Sequence, residues 1–145
     1  DLPLRRFTPA EVKSMEENAP SWLRFFTRRA LEIFKRGAEL PRAYPAPFAV
    51  WQFGDSLTLV GFSGETVADY ATLAEQRLGP LNLWVAGYCN DLFGYLPSAR
   101  ILSEGGYETR GLYMGVGLFD PSVETAVMNS VSEMARAAGR REVKP

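Results

Sequence analysis

Residues 57–88 constrain the fold more than any other part of the chain. Leu57-Thr58-Leu59-Val60-Gly61-Phe62 is a dense apolar run suited to a central strand. A helical period follows to about Leu78, with Val67, Tyr70, Ala71, Ala74 and Leu78 on its inner face. Gly79-Pro80 ends that helix, and residues 81–88 read as a second buried strand. A strand–helix–strand unit normally sets its strands parallel in one sheet, since parallel neighbours need a long crossover. The expected fold class is therefore α/β: a single layered domain with a mixed sheet packed by helices.

The flanking segments fit that frame. Thr8-Pro9-Ala10-Glu11 has the form of a capping box with proline in the first turn, so a helix starts there. It should end near Asn18, because Pro20 disfavours helical geometry at Ala19. A second helix is expected with Ser21 in its first turn, running to about Arg36, with Gly37 as its stop. Trp22, Leu23, Phe25, Phe26, Ala30, Leu31, Ile33 and Phe34 form its apolar stripe, and its charged side reads as solvated surface. Residues 40–47 hold three prolines and read as an extended connector. The β-like runs 48–53 and 56–63, separated by Gly54-Asp55, suggest a tight hairpin. Residues 89–107 read mostly as loop, with a helical turn around 98–103, and a last β-like stretch lies within 111–119. Asp120-Pro121 opens a final helix with Val123, Val127, Val131, Met134 and Ala138 on one face, stopped by Gly139. The division is thus one domain over 1–139: a helical part (1–37), a connector (38–47) and a strand/helix core (48–139). Residues 140–145 read as a disordered tail.

Composition narrows function more than fold. The 145 residues include no histidine, so no site can draw a histidine base, nucleophile or metal ligand from this chain alone. A net charge of −1 gives no prior for nucleic acid. The single Cys89 cannot form an internal disulfide and, with no histidine to activate it, reads as an inert thiol. No apolar run approaches the roughly 18–20 residues of a membrane span. The N-terminal residues lack both an initiator methionine and the apolar stretch of a secretory signal. Phosphate-loop, nucleophile-elbow and Cys-x-x-Cys patterns are absent.

Three polar residues remain at or beyond expected strand ends, where open α/β sheets place their sites: Glu65, Tyr95 and Tyr107. Each has an ordinary structural account as well. A carboxylate in a first helical turn is favoured by the helix dipole, and loop tyrosines commonly pack with a hydrogen-bonded hydroxyl.

At these residues the chain resembles a known family. Phe62-Ser63-Gly64-Glu65 before a helix, then Trp84-Val85-Ala86-Gly87-Tyr88-Cys89-Asn90, Gly94-Tyr95 and Gly105-Gly106-Tyr107-Glu108 resemble the C-terminal part of the neutral/alkaline (non-lysosomal) ceramidase catalytic domain. The likeness spans about residues 47–138. It implies that Glu65 and Tyr95 bind a catalytic zinc and that Tyr107 hydrogen-bonds at the reacting amide. The substrate would then be a lipid amide such as ceramide, and the location secreted or membrane-associated. The family's zinc also takes histidines from far upstream, so the resemblance implies a fragment of a larger catalytic domain, inactive alone and partnered by the remainder of that domain. Exposed apolar surface, and self-association through it, are further expectations. Two departures stand out. Leu96-Pro97-Ser98-Ala99-Arg100 replaces the run that contacts the ceramide headgroup, and Thr66 stands where known members carry phenylalanine. The alternatives are a non-catalytic α/β binding or interaction module, in which Glu65 and the tyrosines only cap and pack, and a hydrolase of another acyl substrate.

Overall fold

From the N-terminus the chain runs β1 (Leu2–Pro3), α1 (Pro9–Asn18), α2 (Arg24–Lys35), β2 (Ala43–Tyr44), β3 (Ala49–Phe53), β4 (Leu57–Gly61), β5 (Glu65–Thr66), α3 (Asp69–Leu78), β6 (Leu83–Ala86), β7 (Tyr95–Leu96), α4 (Ala99–Glu104), a 3-10 turn (Tyr107–Thr109) and α5 (Val123–Ala137). This computed structural model describes residues 1–140. The protein is a mixed α/β fold in a single small domain, its sheets packed against helices.

The crossover is as its sequence dictates. β4 is central, paired antiparallel to β3 and parallel to β6, with α3 connecting the parallel pair. Val60 and Phe62 lie in the main core with Tyr70 and Ala74 of α3 and Val123, Val127, Met128, Val131 and Ala135 of α5. Ala71 and Ala138, expected on the inner faces of their helices, are exposed. A second core joins α1 to α2 through Val12, Phe26 and Ala30, with Leu118 beneath them. Thr8 caps α1 in a complete capping box with Glu11, as its sequence demands.

Several elements differ from expectation, each for a local reason. α2 begins at Arg24, because the Leu23 N–H closes a turn onto the Pro20 carbonyl at 2.9 Å. The proline-rich connector contains β2, which pairs with β1 and draws Leu2 and Leu4 into the main core. The β3–β4 loop has three residues, Gly54-Asp55-Ser56, with Phe53 opposite Leu57. β6 is an edge strand, and its Trp84 is exposed rather than buried. The stretch 111–119 forms isolated bridges, not a strand, because Gly111 (φ +76°) and Gly115 (φ +67°) break its extension. Within the residues read as a tail, Arg140 is pinned. It donates to the Leu78, Gly79 and Leu81 carbonyls at 2.8, 2.8 and 3.0 Å and to the Thr58 hydroxyl. Residues 141–145 lie outside the described part.

Candidate functional site

The site lies where the chain leaves the sheet. Gly64 (φ +79°) turns the chain out of β4, and a side chain there would press within 2.7 Å of the Phe93 ring. The turn delivers β5 beside β7, a parallel pair only two residues long that sets Glu65 directly opposite Tyr95. The Glu65 N–H donates to the Gly94 carbonyl at 2.8 Å, locking that register. Gly94 in turn bridges to Leu112, and the Tyr113 N–H donates to the Phe93 carbonyl at 2.7 Å. Three segments distant in sequence are thereby tied together by backbone hydrogen bonds.

Glu65, Tyr95 and Tyr107 come together. The Tyr95 and Tyr107 rings meet edge to face, with centroids 5.5 Å apart. Three further residues complete the cluster: Tyr88, Tyr113 and Arg110. Tyr113 donates its hydroxyl to Glu65 Oε2 at 2.8 Å. Hydrogen bonds from Tyr88, then Tyr113 and Tyr95, hold the Glu65 carboxyl below the usual carboxylate range, with help from the positive charge of Arg110. The converse effect protects the phenols. Hydrogen bonding to Glu65, followed by desolvation, pushes Tyr95 up to about 12, so its hydroxyl is protonated and donating at neutral pH. Tyr88 is likewise raised, chiefly by its hydrogen bond to Glu65. Tyr113 is raised by burial first and by Glu65 second.

Tyr88 occupies this place at a backbone cost. Its φ of +58° lies in the left-handed region, unusual for a bulky aromatic. The conformation is held by the Tyr88 N–H on the Gly64 carbonyl (3.0 Å) and the Cys89 N–H on the Phe62 carbonyl (2.9 Å). Cys89 itself points its thiol toward the Ala86 and Gly87 carbonyls, at 3.6 and 3.5 Å. Arg110 is stacked by Tyr107 at 4.4 Å and Tyr113 at 4.3 Å, with Tyr95 at 5.7 Å, and donates to the Tyr107 hydroxyl.

As a zinc donor set this arrangement is partial. Glu65 and Tyr95 are adjacent oxygen donors suited to two coordination positions, and Tyr88 and Tyr113 add only phenols. No group of three or more His, Cys, Asp or Glu gathers among the described residues, and the sequence has no histidine to offer. The apolar residues of the segment read as loop are divided between core and surface. Phe93 and Leu96 are in the main core and Leu102 packs on it, while Leu92 is exposed. Among the described residues, no helix is long and apolar enough to cross a membrane.

Arg110, Tyr113 and Tyr88 escape a reading of the sequence as site residues. The only local signals were that Tyr88 ends a strand and that Arg110 follows Tyr107 by three positions. Comparison with protein-family models, with curated proteins and with solved structures found no match.

Proposed function

We propose that this chain is the C-terminal portion of a ceramidase-like, zinc-dependent amidohydrolase that cleaves the N-acyl bond of ceramide or a related lipid amide. The observation that carries the reading is the meeting of Glu65, Tyr95 and Tyr107 at one point from three separate segments. Glu65 and Tyr95 would hold the metal, with histidines from upstream sequence supplying the other ligands. When bound, zinc supplies Lewis-acid activation of the acyl carbonyl.

The chain's own residues do the rest. Tyr88 and Tyr113 fix the Glu65 carboxylate in an ionised, oriented state. Arg110 donates to the Tyr107 hydroxyl oxygen, which polarises its O–H and orients it. That O–H is then placed to donate to the oxygen of an amide as negative charge develops on it. Without the upstream ligands the chain is a half-site that turns nothing over.

The test is hydrolysis of N-acyl sphingosine by the full-length protein and its variants. Glu65→Ala should lower kcat/KM by about 100-fold or more, and Tyr95→Phe by about tenfold or more. Tyr107→Phe, which removes one oxyanion donor, should cost about 100-fold in kcat. Near-normal activity in both Glu65→Ala and Tyr95→Phe sinks the assignment.

A further inference from the structure

Beside the tyrosine cluster lies a cleft of about 240 Å³, walled by Trp22, Phe25, Phe26, Leu112 and Tyr113, with Arg110 in the same wall. The guanidinium is the unusual member. It is half-buried and forms no salt bridge among the described residues. Its Nε is buried with no hydrogen-bond partner. The Glu65 carboxylate is engaged by tyrosine hydroxyls and feels Arg110 only as a nearby charge. Aromatic faces cover the cation but accept no hydrogen bond from Nε in its own plane.

A guanidinium keeps its charge in any protein, so burying it with a donor unanswered is costly unless a ligand answers it. Nε lies on the edge of the group that grips carboxylates side-on with two parallel N–H donors, and, being closed to solvent in this structure, it meets a carboxylate only as the cleft wall shifts. The adjoining walls are aromatic and aliphatic. At about 30 Å³ per water-sized group the cleft takes about eight such groups, the length of a short alkyl chain. The ligand chemistry that satisfies both parts is an amphiphile with a carboxylate near an apolar chain.

We propose that Arg110 and this cleft bind the carboxylate and the acyl chain of an N-acyl amino acid, as the substrate class of the adjoining site. The substrate role rests on the amidohydrolase reading; the anion site does not. A neutral ceramide headgroup would leave Nε unpaired, and the segment Leu96-Pro97-Ser98-Ala99-Arg100 departs from the family where that headgroup would be held.

The experiment is calorimetric binding to the full-length protein in the presence of a metal chelator, so that zinc and turnover do not enter. The probes are N-octanoylglycine, its methyl ester and octanoate. N-octanoylglycine should bind, and the ester should bind about tenfold more weakly or worse, since it lacks the charge-assisted pair. Arg110→Met should weaken N-octanoylglycine by a similar factor, with Arg110→Lys between it and the wild type. Circular dichroism checks that the variants fold; if the Met variant does not, the Lys variant and the ester carry the test. Equal binding of acid and ester overturns the proposal. So does equal affinity in wild type and a folded Arg110→Met protein, or binding of octanoate without N-octanoylglycine, which would mark a site for a free fatty acid only.

Discussion

Gly94 shows how tightly single residues control the site. Its backbone runs so close to residue 111 that an added Cβ would sit 2.4 Å from the Gly111 carbonyl oxygen. Both neighbours of that contact bear on the cluster, because Tyr95 follows Gly94 and Tyr113 lies two residues beyond Gly111. Gly94→Ala should therefore destabilise by about 3 kcal/mol through overpacking against rigid backbone. Gly37, just past the end of α2, also has positive φ (+72°), yet a Cβ there meets nothing within 4 Å. Gly37→Ala should cost only the left-handed penalty, about 1 kcal/mol. Denaturant midpoints of the two variants measure the difference, and equal losses would mean that the close approach is unimportant. Glu65, Tyr95 and Tyr107 stand out in the sequence as polar residues at or beyond expected strand ends, a local property, and the roles expected of them come from the family resemblance. Arg110, Tyr88 and Tyr113 were hidden because they become neighbours only through the β5–β7 register and the Gly94–Leu112 bridge.

Among the elements, the long ones were legible and the two-residue ones were not. α1 declares itself by its capping box, α3 and α5 by their apolar period and the glycine that follows each, and the β4–α3–β6 crossover by its length. β1, β2, β5 and β7 each have two residues, too few to show any period, and exist because a distant partner supplies the ladder. One such long-range tie joins α3 to α4. Asp69, in the first turn of α3, accepts from the Ser98 hydroxyl at 2.5 Å and from Arg100 at 3.1 and 2.8 Å. Ser98 meanwhile caps α4 by accepting from the Ile101 N–H at 3.2 Å. Arg100 first, then Ser98, hold the Asp69 carboxyl below the usual range, so the folded state binds its proton more weakly than the unfolded chain does. That contribution is complete above the unfolded pKa of about 3.9 and is lost as the pH falls through the lower folded value. Asp69→Asn should cost about 1 kcal/mol at neutral pH, a modest figure because Arg100 is largely solvated. The gap between wild type and variant should close in acid denaturation series below about pH 4. A gap that is constant from pH 7 to pH 2 would show that the carboxylate's charge plays no part.

At the scale of the molecule, the described residues cover the three-stranded sheet on one side only. Val60 is at 0% exposure beneath α5 and α3, while Trp51, Leu59 and Trp84 form one cross-strand row on the other face. Trp51, Phe53 and Trp84 are 44%, 55% and 68% exposed. Exposed apolar surface is expected, but the sequence cannot place it on this face, since a strand apolar on both faces reads as doubly covered whether or not a second layer is present. The row is uncharged, and two indole rings with a phenylalanine beside them make a contiguous apolar surface of a few hundred Å², the size at which such patches serve association. β6, at the sheet's edge, adds unpaired backbone groups next to Trp84. The chain should therefore self-associate through this face. Sedimentation of the isolated chain should give a mass that rises with concentration in the micromolar range. The double variant Trp51→Lys/Trp84→Lys should return it to a monomer, because each lysine charge resists burial in an interface. Both substitutions lie on the solvent side, so far-UV circular dichroism should be unchanged. A wild-type mass that stays monomeric at every concentration would show that the solvated indoles are tolerated, leaving the open face with no role in assembly.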